Sequence, residues 1–236
     1  MSIPKMEAGV LRMQDYIYVF YERAGDITDA LLRHILISGL SVLLACLVAI
    51  PIGIYLSKTT HQWIQSTVFT ITNIFQTIPS LAMLAIFIPL IGIGLKPAVT
   101  ALFLYSLLPI LRNTYAAFES IDEGIIESAT GMGYSPLQRL IQVEIPLAMP
   151  YIMSGIRLTT VYIISWATLA ALIGAGGLGQ LIIGGMGVNN KPLILAASIL
   201  AMVLALVVDF IFARIENMFL ARSKRDEKSI IMEEQS

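Results

Sequence analysis

Residues Glu127–Pro146 read ESATGMGYSPLQRLIQVEIP, the longest polar interruption inside an otherwise hydrophobic chain. The segment carries acid, base, two glycines and two prolines, and the stretches around it are apolar enough to cross a bilayer. A shaped, mixed-charge segment between such stretches is a surface held out into the aqueous phase. Just upstream, Ser120-Ile121-Asp122-Glu123 has the S-x-x-E spacing of a capping box and predicts a short helix. On that helix Ile125, Ile126 and Ala129 form an apolar strip. Gly131 and Gly133 end it, because glycine reaches left-handed backbone conformations at little cost. Ser135-Pro136-Leu137-Gln138 then restarts a helix, with serine as N-cap, proline at the first helical position and glutamine at the third. Leu137, Leu140 and Ile141 follow at helical spacing, and Pro146 marks the start of the next span. Two capped helices about a glycine turn make a rigid knob. The plainer alternative is an ordinary loop of the same composition.

Working outward, composition sets the class. The chain has 236 residues, of which 57% are hydrophobic and only 13% charged, so it reads as an all-α, polytopic membrane protein. A net charge of −1 gives no case for nucleic-acid binding. Cys46, alone of its kind, cannot form an intrachain disulfide, and two distant histidines make a histidine metal site improbable. Residues 1–29 are too polar and acidic for a cleavable signal peptide. Tyr16, Val19 and Phe20 recur there at helical spacing, which suits an interfacial helix or one packed on the rim of the bundle.

Five spans are expected, at about 35–56, 64–88, 97–118, 147–173 and 193–213, within a membrane domain of residues 30–213. Residues 119–146 form the polar loop and 214–236 a charged tail, frayed at its tip. Residues 178–188 are apolar but too short to cross, and follow the turn GAGGLG at Gly174–Gly179. With the polar loop inside, cytoplasmic segments hold eight lysines and arginines against six outside, which puts the N-terminus outside and the C-terminus in the cytoplasm.

Polar residues inside the spans are the other candidates. Asn73 and Gln76 share a helix face in NIFQTIPSLAML, either as hydrogen-bonding glue between helices or as the lining of a solute path. Arg157 and Asp209 are intramembrane charges on antiparallel spans, either paired, facing an inner vestibule, or separately reaching the interface. Tyr162 and Trp166, four apart on one helix, serve in bundle packing or as an aromatic surface for a cation.

Glu127-Ser128-Ala129, three residues, Gly133, nine residues, Val143, one residue, then Ile145-Pro146 resembles the EAA signature of ABC-importer permease subunits. Ser128, Val143 and Ile145 stand where that family has alanine, isoleucine and leucine. The resemblance implies the type I importer permease fold. It also implies that Glu127, Ser128, Ala129, Gly133, Ser135, Pro136, Val143, Ile145 and Pro146 belong to a coupling segment docked in a separate cytoplasmic ATP-binding subunit, present twice. From about residue 30 onward, NIFQTIPSLAML, LPILRNTY, VEIPLAMPYIMSGIR and WATLAALIGAGGLG are similar to permeases of the osmoprotectant branch, which import betaine, carnitine or choline. That likeness implies a prokaryotic cell membrane, a second permease copy or paralogue, and an extracytoplasmic solute-binding protein. Related branches carry amino acids or other small solutes.

No G-x-x-x-x-G-K-[ST] occurs, so the chain has no phosphate-cradling loop of its own. No nucleophile–base pair or metal cluster stands out. The chain therefore reads as no enzyme and holds no cofactor, with ATP and magnesium left to the partner subunit. A stand-alone channel or secondary carrier is the competing class, with Asn73, Gln76, Arg157 and Asp209 as its lining. Such a protein has no use for a capped, glycine-hinged knob.

Overall fold

The computed structural model describes residues 20–234, with side chains described as far as residue 220. The expected amphipathic segment around Tyr16 and Val19 lies outside the described residues. The helices, in order, are α1 (Ala24–Lys58), α2 (Gln62–Thr77), α3 (Ser80–Ile91), α4 (Leu95–Glu119), α5 (Glu123–Gly131), α6 (Pro136–Arg139), α7 (Ile145–Ala167), α8 (Leu178–Gly187) and α9 (Lys191–Glu234). A π-turn at Leu140–Glu144 joins α6 to α7, and a 3₁₀ turn at Leu169–Ile173 follows α7. Among the described residues four helices are long and apolar enough to cross a membrane, and α2 with α3 forms a bent pair that is either a broken fifth span or a re-entrant segment. The described residues hold no strand.

Helix α4 is the axis of the bundle, packed against α1 on one side and α7 on the other. Its Ala98, Ala101, Leu102, Ile110 and Leu111 are buried against Ile37, Ala45, Ala49 and Leu56 of α1 and Ala148, Ile152 and Ile163 of α7. Small residues let these backbones approach, as apolar helices in lipid must gain their contact from close packing. A Cβ on Gly53 would lie 2.8 Å from Cβ of Thr114, and one on Gly155 would lie 2.4 Å from Cβ of Asn113. Two neighbouring residues of α4 thus fill the notches of two flanking helices. The outward faces remain apolar: Leu43 and Leu47 on α1 and Leu206 and Phe210 on α9 are exposed, as suits helices facing lipid or another chain.

Contacts fix the ends of the bundle. Lys58, closing α1, reaches Glu144 just before α7. Arg33 and His34, near the start of α1, reach Ala175, Ile164 and Leu178 around the other end of α7. The knob and the glycine loop 174–179 therefore sit at opposite ends.

Several expected boundaries differ. The span expected at 64–88 is two helices meeting at 98°. Ile78 is extended at φ −72°, ψ 128°, as steric contact with the following Pro79 ring favours. Helix α1 starts at Ala24 and runs straight through the expected boundary at residue 30. Helix α9 continues to Glu234, past the end of the expected span at 213 and into the charged tail, because no glycine or proline interrupts it after Pro192. The capping box expected at Ser120 is absent. Ser120 closes α4, its hydroxyl donating to the Ala117 carbonyl at 2.9 Å. Asp122 caps α5 instead, accepting from the Gly124 N–H at 2.7 Å, and Glu123 falls in the first turn.

Candidate functional site

The knob is held by local chemistry at each of its joints. Gly133, at φ +85°, lets the chain reverse after α5. Its N–H donates to Thr130 O at 3.0 Å and that of Tyr134 to Ala129 O at 3.2 Å, the paired bonds of a Schellman stop. Two residues on, the Gln138 N–H donates to Ser135 Oγ at 3.3 Å while the Ser135 N–H donates to Gln138 Oε1 at 2.9 Å, with Pro136 opening the turn. Both bonds of a reciprocal capping box are present.

On this frame Glu127 and Ser128 are exposed and Ala129 is buried. Of the expected apolar strip, Ile126 is half-buried and Ile125 exposed. Ile125, Met132 and Leu137 are instead exposed on the knob, Met132 at 70% and Leu137 at 65%, and Ile141 is exposed on the π-turn. Val143 and Ile145 are half-buried at the π-turn, and Pro146 lies in the first turn of α7.

Under the knob lies a carboxylate that sequence reasoning passed over. Glu144 is 1% exposed. It accepts from Arg139 Nε at 2.9 Å and pairs with the ammonium of Lys58. Arg139 Nη1 in turn donates to Thr130 Oγ1 of α5 at 3.0 Å. The signal was one acid in the otherwise uncharged run LIQVEIP, five residues after an arginine.

The membrane candidates separate into two groups. Gln76 donates from Nε2 to the Tyr105 carbonyl at 2.7 Å, and the Tyr105 hydroxyl donates to the Ile78 carbonyl at the break between α2 and α3. Tyr105 meets Trp166 edge-on with centroids 4.7 Å apart, and Trp166 stacks on Tyr162 at 6.4 Å. Gln76, Tyr162 and Trp166 are thus drawn together through Tyr105, which the sequence did not single out. Asn73 is not part of this set: it is exposed on α2, one step round the helix from buried Thr72. The second group is ionic. Arg157 grips Asp209 with two bonds, Nε–Oδ1 at 2.6 Å and Nη2–Oδ2 at 2.9 Å, and reaches Glu216 Oε2 with Nη1 at 3.2 Å. Glu216, also missed, lies seven residues beyond Asp209 and so on the same face of α9. A groove of about 560 Å³ between α7 and α9 ends at Asp209 and is lined by Ser165, Thr168, Met202 and Leu206.

At the opposite end the glycine loop is pinned to α1. Arg33 Nε donates to the Ala175 carbonyl at 3.0 Å. His34 is fully buried. Its Nε2–H donates to the Ile164 carbonyl at 2.9 Å, leaving Nδ1 to accept from the Leu178 N–H, an otherwise unpaired donor at the start of α8, at 3.3 Å.

Residues 49–219 match the family described as binding-protein-dependent transport system inner membrane component. The choline transport system permease protein OpuBB of Bacillus subtilis (strain 168) is 42% identical over 201 residues, covering 85% of this chain and 92% of that protein. The carnitine transport permease protein OpuCB of Listeria monocytogenes is 41% identical over 215 residues, covering 91% and 98%. Among solved structures, the MetNI methionine ABC transporter in an inward-facing conformation superposes with a TM-score of 0.77 at 23% identity, over 84% of this chain and 98% of that one, a likeness of fold. With its family pattern spanning most of the sequence and such relatives matched over nearly their whole length, the chain belongs to the inner membrane components of binding-protein-dependent transport systems.

Proposed function

We propose that this chain is the permease subunit of an ATP-driven importer for a small quaternary ammonium solute of the betaine, carnitine or choline type. The observation that carries the reading is the knob: two capped helices about a left-handed glycine, with apolar side chains exposed at one end of a membrane bundle. Such a surface suits the cleft of a cytoplasmic ATP-binding subunit, with Glu127, Ser128, Gly133, Ser135 and Pro136 on the docking side and Val143, Ile145 and Pro146 at the joint to α7. The complete machine then holds two ATP-binding subunits, which use ATP and magnesium, this permease with a second copy or a paralogue, and an extracytoplasmic solute-binding protein. The knob end faces the cytoplasm and the start of α1 the outside of the cell membrane.

ATP binding draws the two ATPases together, the docked knobs follow, and the spans exchange an inward-open for an outward-open packing. The solute class rests on the named substrates of the relatives and on the aromatic set beside the break in the second span. A quaternary ammonium has no N–H to donate, so aromatic faces hold it. Tyr162, 52% exposed, offers such a face, backed by Trp166 and Tyr105. Gln76, bonded to the Tyr105 carbonyl, borders the same surface, whereas Arg157 and Asp209 lie apart from it at the groove between α7 and α9 and Asn73 stands outside both groups.

Reconstitution in liposomes with the ATPase and binding protein tests the reading. Radiolabelled choline, carnitine and betaine are offered with and without ATP. Uptake of at least one of them that needs ATP and all components is the expected result. ATP-independent flux through this chain alone overturns it in favour of a channel or carrier, and binding of an amino acid by the binding protein overturns the solute class.

A further inference from the structure

We propose that Glu144 is the mechanical link through which movement of the knob reaches the first membrane helix. The inference rests on the coupling role proposed for the knob, and adds a specific residue and a route. Cations from two separate elements meet on this one buried carboxylate, and one of them brings a third element with it. Arg139 brings the second knob helix, with Nε at 2.9 Å. Thr130, bonded to Arg139 Nη1 at 3.0 Å, brings the first. Lys58 brings the last turn of α1.

The backbone alone is a poor transmitter at this place. The knob joins α7 through the π-turn Leu140–Glu144, where i→i+5 bonds interrupt the regular α-helical ladder. A displacement of α6 can be absorbed there before it reaches α7. The carboxylate cannot yield in the same way. A charge that is 1% exposed must keep its cations, since withdrawing either one leaves it desolvated and under-paired. When α6 moves, Glu144 holds Arg139 and Lys58 to a common point, and the end of α1 is carried along.

The movement has somewhere to go. Gln65 of α2 donates from Nε2 to the carbonyls of Leu56 at 3.0 Å and Thr59 at 3.1 Å, so the end of α1 and the start of α2 are fastened together. Helix α2 then ends at the break of Ile78–Pro79, beside the Tyr105–Trp166–Tyr162 set. A shift at the knob thereby tilts the half-helix that borders the aromatic surface, by way of the N-cap of α7 and not along the length of that helix.

The test is uptake per ATP hydrolysed in the reconstituted full transporter, scored on complexes that retain the ATPase subunit. Glu144→Gln is expected to lower that ratio at least tenfold. Adding Lys58→Met to it is expected to lower the ratio no further, because the link is already cut. A ratio within twofold of the unmodified protein for E144Q overturns the proposal, as do losses from E144Q and K58M that multiply in the double variant. If E144Q yields no complex, Lys58→Arg and Lys58→Met decide: K58R keeps at least half of the ratio and K58M less than a tenth, while equal ratios overturn the link. An unmodified transporter whose uptake ignores ATP fails the coupling reading itself, which separates that failure from the failure of Glu144.

Discussion

The two ends of the bundle are fastened by different kinds of force. At the knob end the ties that join α1, the knob and α7 are ionic and run between side chains, Lys58 and Arg139 to Glu144, with Arg157 to Asp209 and Glu216 further along, and Gln65 adds bonds to backbone, at Leu56 and Thr59. At the glycine-loop end the ties run from side chains to backbone, His34 to Ile164 and Leu178 and Arg33 to Ala175, beside Gly177 and Gly179, where a Cβ would meet His34 Nδ1 at 3.0 Å and the Thr168 carbonyl oxygen at 1.9 Å. Charge attraction falls off gently with distance and long side chains follow a moving partner. A backbone hydrogen bond beneath a close glycine contact is lost within a fraction of an ångström. Ties of the first kind therefore tolerate displacement of their partners. Ties of the second kind do not.

That contrast is broken most severely at Gly179, where a Cβ would lie 1.9 Å from the carbonyl oxygen of Thr168. Backbone faces backbone, so no rotamer change relieves the clash. Gly179→Ala is expected to cost about 3 kcal/mol of stability, the upper end for overpacking, and to reduce uptake more than a hundredfold. Thermal unfolding in detergent together with reconstituted uptake measures both, and near-normal uptake shows that the loop has a second seated position. His34→Ala comes next. It strips the Ile164 carbonyl and the Leu178 N–H of a shared partner and leaves a hole of imidazole size, for an expected loss of about 2–4 kcal/mol. His34→Gln, which can supply both a donor and an acceptor, is expected to recover half or more of that loss in the same unfolding measurement.

How far each end was legible follows from how local its forces are. The reciprocal bonds of Ser135 and Gln138 and the left-handed Gly133 are set by residues three apart or fewer, and the sequence states them directly. Ser120 misled because its S-x-x-E spacing is real, yet Asp122 sits closer to the helix start and competes successfully for it. The apolar periodicity located the long helices, but Pro79 alone did not announce a 98° bend, since the size of a kink depends on what packs into it. Here the Tyr105 hydroxyl satisfies the opened Ile78 carbonyl and the Gln76 amide ties α2 to the Tyr105 carbonyl of α4, contacts that span 27 and 29 residues. Glu144 and His34 were illegible for the same reason. Their burial and their partners belong to the packing of α1 on α7, and a lone acid or histidine in sequence carries no mark of what will close over it.

Along the ionic side, Arg157 gives a graded test. Arginine spans Asp209 with two bonds and Glu216 with a third, a forked pattern that lysine cannot reproduce. If the tie works by charge, Arg157→Lys keeps an ammonium between two carboxylates and uptake falls only about threefold, consistent with the loss of directed bonds while the ion pairing remains. Arg157→Met removes the charge and is expected to lower uptake at least tenfold. Equal effects from the two would mean that shape governs here as well, and the contrast between the ends would fail.

The smallest effect is expected at Ser135, and it isolates rigidity of the knob from its attachment. Ser135→Ala removes one half of the capping box, the bond from the Gln138 N–H at 3.3 Å, for a loss of about 1 kcal/mol in local stability. Pro136 still fixes the first turn, and Arg139 still holds Glu144, so the knob stays in place with a looser second helix. Amide hydrogen exchange in residues 136–141 of the purified permease should quicken about fivefold, the factor that about 1 kcal/mol implies for local opening. Exchange in α1 near Lys58 should not change. Quickening at both places would mean that the cap, and not the ion cluster, holds the knob to the first helix, and the ionic end would then depend on local geometry just as the glycine-loop end does.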